Sequence, residues 1–99
     1  VMFMNLLEDF RDSIDTLDER ILTLMSERMS IARNIGQYKK DNNMTVLQVE
    51  RWNEILRTRL QSGEIKELDK DFIIRLYSLI HDESIRQQTE VMKEEKSIS

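Results

Sequence analysis

The feature that most constrains the fold is a run of apolar residues that repeats every three or four positions for more than thirty residues. This spacing is typical of one face of an α-helix. Asn5 and Glu8 form a capping-box-like pair at its start, and Asp41-Asn42-Asn43 is a turn signal at its end. The stripe consists of Leu7, Phe10, Ile14, Leu17, Ile21, Leu24, Ile31, Ile35 and Tyr38. The pattern predicts a first helix over Asn5–Lys40, roughly 54 Å long at about 1.5 Å per residue.

Two shorter helices are predicted downstream. The second starts at Thr45, has Gln48 as its capping-box partner and stops at Gly63. The third starts at Asp69. Its inner stripe is Ile73, Tyr77, Ile80, Ser84, Gln88 and Val91. A chain with no Pro and only two Gly is rich in helix formers, so the prediction is an all-α fold of three helices in a single domain over residues 1–99.

The length of the first helix predicts a partner. The other two helices are too short to cover it, so part of its apolar stripe is left exposed, which monomers rarely tolerate. A symmetric homodimer in which the long helices pack against each other removes that exposure.

Composition and charge exclude several classes of function. The net charge of −4 and pI near 5.0 argue against a nucleic-acid or anionic-membrane surface. No Cys and a single His exclude disulfides, thiolate metal sites and His-based metal clusters. No apolar run approaches the roughly 18 residues of a membrane span, and we expect a cytoplasmic protein. A start at Val1 is typical of an excised domain, a processed chain or an engineered end.

Two cations project from the inner side of the first helix. Arg28 falls on the apolar stripe, and Lys39, eleven residues later, lies within about 20° of it and roughly 16 Å away. Arg11 lies 17 residues before Arg28 and about 100° around the helix. It therefore points away from the same pocket, but in an antiparallel dimer it reaches the pocket of the partner.

Further polar residues face inward on the other helices. Ser84 and Gln88 lie one turn apart on the third helix, and Arg51 is flanked by Gln48 and Trp52 on the second. Buried cations need anionic partners, yet most acidic residues fall on outer faces. A small ligand with two carboxylates satisfies them, since Arg and Lys both bind carboxylates. Taken singly, each residue also has an ordinary role, such as snorkelling, dipole complementation or packing.

Four segments carry a resemblance to a known family. They are LLEDFRDSIDTLDERILTLMSER, IARNIGQYKK, VLQVERWNEIL and FIIRLYSLIHDESIRQQ. Together they resemble the AroQ, all-helical class of chorismate mutases from about Leu6 to Gln88. That resemblance implies an intertwined homodimer of three-helix chains, with two active sites each built from both protomers.

The resemblance also implies roles for the inward residues. Arg11 enters the partner's site and pairs with a substrate carboxylate, while Arg28 holds a carboxylate from within its own chain. Lys39 and Gln88 hydrogen-bond the ether oxygen of the breaking bond.

The second and third helices carry the remaining roles, and the second helix carries one departure from the family pattern. Arg51 and Ser84 complete the carboxylate shell. Many members of the family have a carboxylate at the position of Trp52, where it accepts a hydrogen bond from the ring hydroxyl of the substrate. Gln48, an amide where an acid is common, can still accept that bond.

The implied reaction is the rearrangement of chorismate to prephenate in phenylalanine and tyrosine biosynthesis. It is pericyclic and needs no nucleophile, metal or cofactor. Because Trp52 replaces the usual carboxylate, an isochorismate-pyruvate lyase is an alternative, as is a regulatory or dimerisation domain of a fused aromatic-pathway enzyme.

Overall fold

A computed structural model describes the backbone of residues 2–94 and the side chains of residues 5–94. In this range the chain forms three α-helices and no strand: α1 (Met2–Asp41), α2 (Val49–Ile65) and α3 (Lys70–Lys93). The predicted all-α architecture with a long first helix is confirmed. Within the same range, no helix combines the length and the apolar character that crossing a membrane requires.

The first helix begins earlier than predicted and ends where predicted. It starts at Met2, so Asn5 lies inside it and the predicted cap is wrong; the preceding methionines are themselves good helix formers. At the other end, the side-chain amide of Asn42 donates to the carbonyl of Tyr38 at 2.8 Å. Asn43 then takes a left-handed conformation with φ of 56°, which Asn tolerates better than most residues.

The second helix starts four residues later than predicted. Its first residue is Val49, and Gln48 occupies the N-cap position in an extended conformation. The Nε2 of Gln48 donates to the carbonyl of Thr45 at 2.9 Å and to its hydroxyl at 3.2 Å. This amide therefore ties the preceding loop together, and the predicted start at Thr45 is wrong.

Gly63 does not stop the second helix as predicted, because the helix continues to Ile65. Gly63 is buried, and a Cβ atom placed on it would lie 2.9 Å from the Cγ1 of Ile73. The glycine therefore marks close packing between α2 and α3 rather than a helix end. The residue with positive φ after the helix is Glu67, with φ of 59°.

The third helix begins as predicted. Asp69 is its N-cap, and its carboxylate accepts a hydrogen bond from the backbone N–H of Phe72 at 2.9 Å. Its predicted inner stripe is also confirmed: Ile73, Ile80, Gln88 and Val91 are buried, and Tyr77 and Ser84 are half-buried.

The chain divides into two compact units, Val1–Ser30 and Ile31–Ser99. In the first unit, none of the described side chains, residues 5–30, is buried. Among residues 5–30, the apolar side chains are all at least 46% exposed except Met25 and Met29. The second unit contains the end of α1 with α2 and α3, and among the described side chains it holds every buried one. Its buried hydrophobic residues are Ala32, Ile55, Ile73, Ile80 and Val91, and its buried polar residues are Lys39 and Gln88.

Candidate active site

Three polar side chains form a hydrogen-bonded chain inside the second unit. The ammonium of Lys39 donates to the Oε1 of Gln88 at 2.8 Å and to the carbonyl of Val46 at 2.5 Å. The Nε2 of Gln88 donates in turn to the hydroxyl of Ser84 at 3.1 Å. The structure thus brings together three of the predicted site residues.

A glycine on α1 allows this chain of hydrogen bonds to form. A Cβ atom on Gly36 would lie 2.9 Å from the Cα and 3.1 Å from the carbonyl oxygen of Gln88. Real Cβ atoms do not approach backbone atoms so closely, so only glycine lets α1 and α3 pack this tightly. The close approach places Gln88 within hydrogen-bonding distance of Lys39, one turn further along α1.

The ammonium group of Lys39 lies in a buried environment that disfavours its positive charge. Its side chain is 9% exposed, and burial lowers its pKa below the ordinary value for lysine. Both of its hydrogen bonds go to uncharged acceptors, and no carboxylate of the described residues lies within ion-pair distance. An anion bound here supplies the missing opposite charge.

The three groups keep hydrogen-bonding capacity for a ligand. An ammonium has three N–H groups and a primary amide has two. Within the described part of the chain, Lys39 uses two of its three and Gln88 uses one of its two. Ser84 accepts a hydrogen bond, which leaves its own O–H to donate. The arrangement is therefore suited to a ligand rich in acceptor oxygens.

The start of α2 carries three further residues that the sequence interpretation singled out. Arg51 is exposed and pairs with Glu54 one turn along the helix. Trp52 is half-buried, and its ring stacks on that of His81 from α3, with centroids 4.2 Å apart and planes 33° apart. Gln48, also half-buried, precedes them at the N-cap.

The two remaining predicted residues belong to the first unit. Arg28 is half-buried. Arg11 is exposed, and its guanidinium donates to Glu8 at 3.3 Å. The role of each toward a ligand stays a prediction.

His81 lies on α3 three positions before Ser84 and seven before Gln88, so the three residues share one face of the helix. The sequence predicts that shared face, whereas the contact of His81 with Trp52 depends on how α2 packs against α3.

The fold and the buried cation define a helical protein suited to binding a small anionic molecule. Residues 10–89 match the model of the family described as chorismate mutase type II, and the chain belongs to that family.

Curated relatives have a second activity in the same polypeptide. The chain is 32% identical over 84 residues to a bifunctional chorismate mutase/prephenate dehydratase of Buchnera aphidicola subsp. Acyrthosiphon pisum. It is 30% identical over 84 residues to the protein of that name from Escherichia coli K12. Each match covers 85% of this chain and 22% of the relative. The chain thus spans about a fifth of the length of these relatives.

Proposed function

We propose that this chain is a chorismate mutase domain that rearranges chorismate to prephenate. The observation that carries the proposal is the buried Lys39, which is hydrogen-bonded to Gln88 and lacks an acidic partner among the described residues. Chorismate carries two carboxylates and an ether oxygen, and it provides both the missing negative charge and an acceptor. Membership of the chorismate mutase type II family supports the same conclusion.

The proposed mechanism requires only binding and charge stabilisation. Rearrangement breaks the bond between the ring carbon and the ether oxygen while a new carbon–carbon bond forms, and negative charge grows on that oxygen. The free N–H groups of Lys39 and Gln88 stabilise this charge in a place from which water is largely excluded. Arg51, Ser84 and Arg28 bind the carboxylates and hold the enolpyruvyl arm over the ring, which lowers the entropic part of the barrier.

A homodimer completes the proposed site. The exposed apolar stripe on the first unit supports a partner helix, since residues 5–30 have no buried side chain and stripe residues such as Phe10 and Ile21 are more than half exposed. A second copy of the chain offers the same stripe and gives a closed, twofold assembly. In this assembly Arg11 enters the partner's site and binds a substrate carboxylate.

A second candidate function follows from Trp52. An aromatic side chain stands where many members of the family have a carboxylate, which alters the surface that meets the ring hydroxyl. Isochorismate differs from chorismate in the position of that hydroxyl, so elimination of pyruvate from isochorismate is the alternative reaction of the same cationic site.

The test is to supply the purified chain with chorismate and with isochorismate in parallel and to identify the products by NMR. The proposal predicts prephenate from chorismate and no accelerated loss of isochorismate. Salicylate and pyruvate from isochorismate alone would establish the lyase. A folded chain that is inactive on both but is stabilised against heat by a dicarboxylate analogue would instead be a regulatory domain.

A further inference from the structure

Lys40, the neighbour of Lys39, joins the end of α1 to the end of α3. Its half-buried side chain donates from the ammonium to the backbone carbonyl of Val91 at 3.5 Å and to that of Glu94. Both carbonyls lie at the C-terminal end of α3, where a helix has more carbonyls than N–H groups to bond them. The contact therefore satisfies acceptors of one helix with a donor from another.

This contact lies beside the close approach of α1 to α3 at Gly36. Lys40 follows Gly36 by four residues, so the two share a face of α1. Val91 follows Gln88 by three residues, and these two share a face of α3. The two contacts between these pairs lie about one helical turn apart on a single seam. Residue numbers increase in the same direction along both helices, so α1 and α3 are parallel at this seam.

The parallel arrangement brings two C-terminal helix ends together. α1 ends at Asp41 and α3 ends at Lys93, and each end carries the partial negative charge of its helix dipole. Two such ends side by side repel each other, whereas a cation is attracted to both. Lys40 supplies this cation, because it belongs to the last turn of α1 while its ammonium bonds carbonyls of α3.

The two contacts on the seam act on Gln88 in opposite senses. The contact at Gly36 is steric, so it limits how closely α3 approaches α1 but does not prevent the two helices from separating. The hydrogen bonds of Lys40 hold the end of α3 toward α1. A contact that limits approach and one that limits separation, a turn apart, together fix the position of Gln88 relative to Lys39.

We propose that Lys40 is a positioning residue for the reaction. By holding the end of α3 against α1, it keeps the side-chain amide of Gln88 within hydrogen-bonding distance of Lys39 and available to the ether oxygen of the substrate. Lys40 itself does not contact the substrate. This inference rests on the proposed function, because that function makes Gln88 a donor to the ether oxygen.

The first experiment observes Gln88 by NMR in the free protein. In the wild type its side chain is buried and hydrogen-bonded, so its amide protons exchange slowly with water. The signals are assigned by their absence from the spectrum of Gln88→Leu. We expect Lys40→Met, which keeps the aliphatic part of the side chain, to speed this exchange and to shift the signals toward those of exposed glutamines.

The second experiment measures the conversion of chorismate. A displacement of about 1 Å in an active site can cost about 100-fold in rate, so we expect Lys40→Met to lower kcat by about 10- to 100-fold. KM changes much less, because the cations proposed to bind the carboxylates lie elsewhere on α1 and on α2. Rates are measured under conditions in which urea unfolding shows each variant to be fully folded.

A matched variant tests whether any charge at the end of α3 has the same effect. Lys93 also lies in the last turn of α3, but its exposed side chain pairs with Glu90 of the same helix at 3.9 Å. Lys93→Met therefore removes a charge without removing a contact between helices, and we expect its kcat and its Gln88 signals to match those of the wild type.

Two further variants test the chemistry of the contact. Lys40→Arg keeps a long cationic side chain and retains most of the wild-type kcat. Lys40→Gln has a neutral donor, and its kcat falls between those of Lys40→Arg and Lys40→Met. If Lys40→Met does not fold, Lys40→Gln replaces it in every comparison.

Three results would overturn the inference. Unchanged Gln88 signals and an unchanged kcat in a folded Lys40→Met would show that this contact does not hold Gln88. Equal losses in Lys93→Met and Lys40→Met would show a general effect of charge at the helix end. A raised KM with a constant kcat would place the effect on substrate binding. If the Gln88 signals move in Lys40→Met but the wild type does not convert chorismate, the proposed function fails and the role of Lys40 in placing Gln88 stands.

Discussion

At the scale of single residues, Lys39 combines a stability cost with a proposed function. Its charge is buried among uncharged acceptors, which lowers its pKa. A structural role alone would favour an apolar residue here. Preorganised donors act on developing charge without reorientation during the reaction, so the same burial that destabilises the free protein strengthens stabilisation of the transition state.

The lowered pKa of Lys39 predicts how activity depends on pH. Only the protonated amine stabilises negative charge on the ether oxygen, so kcat/KM falls as pH rises through the pKa of Lys39 in the free protein. Because burial lowers that pKa, the decline begins below the pH at which an ordinary lysine titrates. The profile is measured with chorismate on the wild type and on Lys39→Gln, in which this alkaline decline is absent from the residual activity. If the alkaline decline in kcat/KM were equally present in Lys39→Gln, it could not be due to deprotonation of Lys39.

The same shift predicts a rise in stability with pH. Folding lowers the pKa of Lys39, so between the folded and unfolded pKa values the unfolded chain binds more protons. The free energy of unfolding therefore increases with pH across that window, and below it the cost of the buried charge is present in full. Urea unfolding at a series of pH values measures this slope, which is reduced in Lys39→Gln. The prediction would be refuted if the free energy of unfolding of the wild type, relative to that of Lys39→Gln, decreased with pH across this window.

Sequence periodicity predicted that Lys39, Ser84 and Gln88 face inward, but it failed for Arg51, which is exposed, and could not predict side-chain pairings. The positions of Lys39, Ser84 and Gln88 follow from the 3.6-residue repeat, which assigns each residue to a helix face. The stack of Trp52 on His81 depends on the register between α2 and α3, and that register is set by side-chain packing rather than by either helix alone. The predicted end of the second helix at Gly63 failed for a related reason, since this glycine packs closely against Ile73 of α3 and does not end the helix.

At the scale of secondary-structure elements, the two glycines set how closely the helices pack. Gly36 brings α1 against the backbone of α3 at Gln88, whereas Gly63 brings α2 against the side chain of Ile73. The first contact lies at the candidate site. The second lies near the opposite end of α3, beside the start of that helix.

This difference predicts separable effects of two alanine substitutions. Gly36→Ala forces α1 and α3 apart at a backbone contact, and we expect it to lower the free energy of unfolding by about 1–3 kcal/mol. It also reduces kcat at least tenfold, because Gln88 moves away from Lys39. Gly63→Ala is the matched control, since Ile73 is a side chain that adjusts more readily, and its effect is limited to stability. Urea unfolding and initial rates are measured on both variants; an unchanged kcat in a destabilised Gly36→Ala would show that the spacing of α1 and α3 is irrelevant to the site.

At the scale of the whole molecule, the proposed active site requires a second copy of the chain. The described part of the first unit has no core of its own, and its apolar stripe is exposed. In the proposed dimer the long helix forms the interface, and each site takes Arg11 from one chain and Arg28 from the other. Loss of activity in a single variant does not show which chain supplies each arginine, whereas a mixture of two variants does.

Mixing two inactive variants is predicted to restore activity. Arg11→Ala and Arg28→Ala each remove a carboxylate ligand from both sites of their own dimer. A mixed dimer has one site that lacks both arginines and one that is intact. When equal amounts of the two variants are unfolded and refolded together, half of the dimers that form are mixed, and each mixed dimer has one intact site out of two. About one quarter of the wild-type activity therefore returns. Mixing without unfolding is the control, and no recovery after refolding would place both arginines in the site of the same chain.

The most direct test of the central claim is the rate of prephenate formation from chorismate by the wild type, Lys39→Met and Lys66→Met. Lys66, whose exposed side chain bonds Ser62, is the control for removal of a positive charge. We predict that Lys39→Met lowers kcat by about 100- to 1,000-fold, the effect of losing one preorganised donor, while Lys66→Met matches the wild type. A folded Lys39→Met that converts chorismate at the wild-type rate would show that the buried ammonium does not act on the ether oxygen, and the proposed active site would be wrong.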